Sequence, residues 1–65
     1  MPVVTIQMWE GRSAEQKREL VRAVTKAMAD IVGASPSATT IIIQDVPKVN
    51  WGMNGALASD LPSKH

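Results

Sequence analysis

The first group in this chain that could act as a catalyst is the proline directly behind the initiator methionine, Met1-Pro2. Methionine is commonly trimmed when a small residue follows, and Pro2 qualifies. The mature chain would then begin with a secondary amine fixed by its own ring. A free α-amino group titrates near ~7.7–8.0. A prolyl amine is intrinsically more basic, but burial or a nearby cation pulls it towards neutrality, where a general base works best. Taken alone, Pro2 also reads as the start of an edge strand, where its missing N–H costs nothing.

Arg12 is the second such group. It follows an apolar strand and precedes a helix N-cap at Ser13, so it hangs over the positive end of a helix dipole. Such a place suits an anion, and a guanidinium adds two parallel hydrogen bonds to a carboxylate; the same position also fits a surface loop arginine. Trp51, between Asn50 and Gly52, reads either as an apolar wall or as an interface anchor, for which tryptophan is favoured. Glu10, Glu15, Glu19, Asp30, Asp45 and Asp60 fall in caps, on a helix surface and at strand ends, where they serve solvation and dipole matching. The single histidine, His65, is read as a solvated tail residue, so no Ser-His-Asp set exists. No glycine-rich phosphate loop follows either strand.

The elements that position these groups are legible from periodicity. Residues 3–9 alternate, with Val4, Ile6 and Met8 on one side and Val3, Thr5, Gln7 and Trp9 on the other, which predicts a strand with protein against both faces. Glu10-Gly11-Arg12 breaks the pattern. Ser13 with Gln16 forms a capping box, Glu15 matches the dipole, and a helix is predicted from Ala14 to Val32. Leu20, Val24, Ala27, Met28 and Ile31 form one apolar stripe at helical spacing, and Gly33 ends the helix. After a turn around Pro36, Thr39 to Val46 reads as a second strand closed by Pro47. Strand, helix, strand is a βαβ unit with parallel strands and a right-handed crossover. Lys48 to Ala56, with two glycines and two asparagines, reads as turns or a small hairpin. Leu57 to His65 is expected to dock on a neighbour or fray.

Size and composition bound the rest. Sixty-five residues allow one α/β domain, taken as residues 2–65. A chain this short buries only about 60% of the surface its unfolded form exposes. Without cysteine, and with one histidine at the chain end, it has neither disulfides nor a zinc site as a staple. Association with further copies is the remaining staple, and the bare sheet edges invite it, most simply as a two-fold dimer. A net charge of +1 gives no reason to expect nucleic acid or an anionic membrane as partner. With no long apolar run and no signal-like start, a cytoplasmic location is expected.

Pro2, followed at the end of the strand by Glu10-Gly11-Arg12-Ser13-Ala14-Glu15-Gln16-Lys17, resembles the N-terminal signature of the 4-oxalocrotonate tautomerase family. The similarity continues through the helix and second strand to Gly52-Met53-Asn54-Gly55 and Leu57-Ala58-Ser59, nearly the whole chain. The resemblance implies a cofactor-independent keto–enol tautomerase acting on a small enol or keto acid. Pro2 would be the general base once Met1 is gone, Arg12 the carboxylate-binding group, and Trp51 part of the apolar wall that lowers the proline pKa. It also implies hexamers of βαβ protomers, a trimer of dimers, with sites built from more than one chain.

One position departs from the family. Members acting on 2-hydroxymuconate usually carry a second arginine at the start of the second strand, and Thr40 stands there. A threonine cannot clamp a carboxylate, and losing such a charge-assisted contact costs ~2–4 kcal/mol, about 10²–10³ in rate. Trp9, Trp51 and Thr40 therefore predict a less cationic, more apolar pocket, with weak activity on 2-hydroxymuconate or a bulkier, less charged enol substrate. Dehalogenase, hydratase or decarboxylase chemistry on the same scaffold, and a non-catalytic oligomeric binding protein, remain the alternatives. The catalytic reading expects an intact mass lacking Met1, measured on the purified protein; a retained methionine blocks the amine and overturns it.

Overall fold

The computed structural model describes residues 1–61; the expectation for His65 lies outside the described residues. The chain runs as β1 (Val3–Trp9), α1 (Ala14–Val32), β2 (Thr40–Val46), β3 (Gly52–Met53) and β4 (Ala56–Leu57), with single 3-10 turns at Pro36–Ala38, Lys48–Asn50 and Ala58–Asp60. β1 and β2 pair in parallel, from Val3 opposite Thr40 to Trp9 opposite Val46. The βαβ unit expected from periodicity is thus present, followed by the small hairpin.

Local chemistry sets the helix limits. Ser13 Oγ accepts the N–H of Gln16 at 3.1 Å, and Gln16 Oε1 accepts the N–H of Ser13 at 3.0 Å, so two otherwise orphan donors are satisfied reciprocally. Gly33 ends α1 in the left-handed conformation at φ 70°, which a side chain would resist. β2 starts one residue later than predicted. Thr39 is held by the preceding turn, its N–H on the Pro36 carbonyl at 3.3 Å and its hydroxyl donating to the Ser35 carbonyl at 2.9 Å. In the hairpin, Asn54 (φ 56°) and Gly55 (φ 80°) are both left-handed, the requirement of a two-residue turn whose twist matches its strands.

α1 covers one face of the sheet. Val4, Ile6 and Met8 on β1, with Ile41 and Ile43 on β2, form the half-buried set on that side. Lys17 of α1 meets Asp45, opposite Met8, in an ion pair of 2.5 Å. From the helix, Leu20, Val21, Val24 and Met28 are half-buried, whereas Ala27 and Ile31 of the expected stripe are exposed. The helix overruns its support: its 19 residues span about 28 Å, against about 23 Å for a seven-residue strand, and Ile31 lies in the last turn.

The other face of the sheet is open in the single chain. Val3 and Ile42 stand 61% and 44% exposed, beside a hydrogen bond from Gln7 Nε2 to Gln44 Oε1 of 2.9 Å. Among the described residues only Ala58 is buried. The radius of gyration is 14.7 Å, where a compact domain of this length has about 11 Å. No helix among the described residues is long and apolar enough to cross a membrane. Ser13→Ala removes the N-cap acceptor and is expected to cost about 1 kcal/mol, read as a lowered thermal midpoint at fixed protein concentration.

Candidate active site

The parallel register sorts the candidate residues to two ends of the sheet. Pro2 and Thr40 share the starting end, where the Thr40 N–H donates to the Pro2 carbonyl at 3.0 Å. Pro2 is half-buried and Thr40 exposed. Trp9, Arg12 and Trp51 gather at the finishing end, where the Glu10 N–H donates to the Val46 carbonyl at 3.1 Å. The seven residues of β1 separate the two groups by about 20 Å or more. One protomer therefore brings Arg12 together with the tryptophans, and Pro2 together with Thr40, but does not bring Pro2 to Arg12.

At the finishing end Trp9 and Trp51 meet edge to face, with ring centroids 6.1 Å apart and planes at 83°. This arrangement sets the positive edge of one ring against the negative face of the other. Trp51 is placed by the 3-10 turn Lys48–Asn50, onto which its N–H bonds through the Lys48 carbonyl at 3.3 Å, and by the Ala58 N–H on its own carbonyl at 2.7 Å. The ring pair half-buries Trp9 although its strand parity places it on the open face of the sheet.

Lys48 completes this end. Its Nζ stands 4.7 Å from the centroid of a Trp9 ring, a cation–π contact. Trp9, Glu10, Arg12, Gln16 and Lys48 together line a cleft of about 500 Å³. Arg12 and Gln16 also border a smaller hollow of about 140 Å³ beside Met8, Lys17 and Leu20. Sequence reasoning passed over Lys48 as part of a turn. No local signal marked it, because the ring it covers lies 39 positions earlier in the chain.

Charge pairing divides the cations sharply. Lys17 pairs with Asp45, Arg18 with Glu15, Arg22 with Glu19 and Lys26 with Asp30. Arg12 and Lys48 are the cations without a carboxylate partner among the described residues, and both line the larger cleft. The expectation of a less cationic pocket rested on Trp9, Trp51 and Thr40 together, and it did not include Lys48.

A strand-helix-strand protomer with Pro2 at one end and an arginine-tryptophan cleft at the other defines a class, and known relatives identify it. The sequence model of the family described as tautomerase enzyme matches residues 2–61. The chain belongs to that family. It is 46% identical over 61 residues to a 2-hydroxymuconate tautomerase of Comamonas testosteroni, covering 94% of this chain and 97% of that one. Among solved structures, YwhB, a homologue of 4-oxalocrotonate tautomerase, superposes with a TM-score of 0.90 at 39% identity, covering 94% of this chain and all of that one. A heterohexamer 4-oxalocrotonate tautomerase from Chloroflexus aurantiacus superposes with a TM-score of 0.88 at 39% identity, covering 95% of this chain and 100% of that one. Tautomerases are isomerases, and the family assignment makes this chain an enzyme of that kind.

Proposed function

We propose that this chain, as a single domain of residues 2–65 freed of Met1, is a cofactor-independent keto–enol tautomerase acting on an enol or dienol carboxylate in the cytoplasm. Its site is completed between copies. The carrying observation is the separation of the candidate groups: Pro2 and Thr40 at one end of the parallel pair, Arg12, Trp9 and Trp51 at the other. A two-fold association that sets the strands of two copies antiparallel brings the Pro2 end of each onto the Arg12 end of the other. The same association covers apolar surface that one chain leaves exposed, Val3 and Ile42 among it. The heterohexamer among the solved relatives supports a hexameric assembly, a trimer of such dimers.

The chemistry follows from the groups so assembled. The neutral amine of Pro2 takes the proton of the substrate enol hydroxyl. The freed electron pair forms the carbonyl while the π electrons move along the chain to carbon. The prolyl ammonium then returns the proton to that carbon, so the products balance without oxidant, reductant or cofactor. Arg12 of the second copy holds the carboxylate and draws electron density as negative charge develops. The Trp9–Trp51 wall excludes water and favours the neutral form of the amine. Thr40, beside Pro2, offers one neutral hydrogen bond to the substrate oxygen. The relatives described as 2-hydroxymuconate tautomerases support this reaction class.

Ketonisation of 2-hydroxymuconate or phenylenolpyruvate, followed by ultraviolet absorbance, is the direct test. Pro2→Ala is expected to lower kcat/KM by about 10²-fold or more, and rates equal to the wild type remove Pro2 from the mechanism. Arg12→Ala is expected to lower it by about 10² as well. Co-refolding equal amounts of the two variants restores one complete site in each mixed dimer, about a quarter of wild-type activity; no recovery above the separate variants argues against a shared site. Ile42→Lys places a charge on the open face and is expected to dissociate the assembly in sedimentation, with loss of turnover.

A further inference from the structure

Among the described residues, the two basic side chains without a carboxylate partner share one cleft, and that coincidence asks for an explanation. Every other described lysine and arginine is matched by a carboxylate three or four positions along the helix or, for Lys17, by Asp45 across to β2. Arg12 is set by the loop before α1 and Lys48 by the turn after β2, 36 residues apart in sequence, yet both line the hollow that Trp9, Glu10 and Gln16 complete. The exposed carboxylate of Glu10 is the acidic group in that lining and leaves it with an excess of one positive charge.

We infer that Lys48 is a second anion-binding residue of this site, which selects dicarboxylate substrates over monocarboxylates by holding the carboxylate that Arg12 does not. The inference rests on the proposed tautomerase reading for the reaction, but not for the binding. Lys48 suits the task for three physical reasons. Its turn is anchored by Pro47 at φ −61° and by the N–H of Asn50 on the Pro47 carbonyl at 2.8 Å, so the backbone beneath the side chain is fixed. The side chain is half-buried with its ammonium over the Trp9 ring, which holds the charge at the cleft without neutralising it, because a ring quadrupole attracts a cation but carries no net charge. An ammonium on a four-carbon stem keeps three donors that can turn from the ring towards a carboxylate oxygen. Lys17, in the neighbouring hollow, is unsuited, since Asp45 holds it at 2.5 Å. The positive charge that Thr40 does not supply at the starting end is thus provided at the finishing end, from the cleft that already contains Arg12.

The test compares wild type, Lys48→Met, which keeps an apolar stem over Trp9, and Lys48→Arg, which keeps the charge. Each is assayed on the dicarboxylate 2-hydroxymuconate and the monocarboxylate phenylenolpyruvate. The ratio of kcat/KM for the first over the second is expected to fall about 10–100-fold in Lys48→Met, and to return to within about three-fold of wild type in Lys48→Arg. A ratio unchanged in Lys48→Met, or an equal loss on both substrates, overturns the inference. If wild type turns over neither compound, the tautomerase reading has failed and binding decides the question by itself. NMR titration with cis,cis-muconate and with sorbate is then expected to show muconate weakened about 10–100-fold relative to sorbate in Lys48→Met. Equal weakening of both, or of neither, refutes the role of Lys48.

Discussion

The parallel pairing of β1 with β2 constrains everything else in this molecule. A parallel pair starts both strands at one end and finishes both at the other, so the chain must cross back over the sheet, and a helix is the usual means. α1 does this, and in doing so covers one face of the sheet and leaves the other bare. Pro2 is committed to the starting end because it is the residue before β1, and Arg12 to the finishing end because it lies three residues beyond it. No rearrangement of side chains within one protomer overcomes that distance. The separation of Pro2 from Arg12 and the open face of the sheet are therefore two results of one topology.

The distribution of charge follows the same division. The outer surface of α1 is laced by pairs at i,i+3 and i,i+4, each contributing only a few tenths of a kcal/mol in water. Their main effect is to leave little unbalanced charge on that surface. The imbalance is concentrated instead at the loop before α1 and the turn after β2, against two tryptophans. The positive charge of Arg12 and Lys48 there gives the cleft a field that favours an anion. Trp9 and Trp51 are the aromatic residues of the chain, and both stand at this end.

Much of this was legible in the sequence where local chemistry decides the outcome. Ser13 with Gln16, and Gly33, delimit α1 at the residues predicted, because caps act through neighbours in sequence. Alternation identified the first strand and the isoleucine run the second, and the glycines and asparagines of Lys48 to Ala56 marked the turns or small hairpin. The reading was weaker wherever the answer depends on what lies across the fold. Thr39 carries a strand-like side chain but is claimed by the turn before β2. Ile31 fits the helical period yet stays exposed, since periodicity cannot tell how far the supporting sheet extends. Lys48 looked like a turn residue because its importance comes from Trp9, 39 positions earlier. The separation of Pro2 from Arg12 was implicit in the strand between them, whereas the place of Lys48 at the same end as Arg12 needed the observed register of β1 with β2.

The hydrogen bond between Thr40 and Pro2 bears on how such a site can change over evolutionary time. It runs from backbone N–H to backbone carbonyl, so it holds the starting proline in register regardless of which side chain position 40 carries. Any residue but proline supplies the same donor. The exposed side chain at that position is thereby free to drift between neutral and charged types while Pro2 beside it stays anchored. A scaffold with this separation can change the chemistry beside Pro2 in one mutational step without disturbing the backbone that holds it.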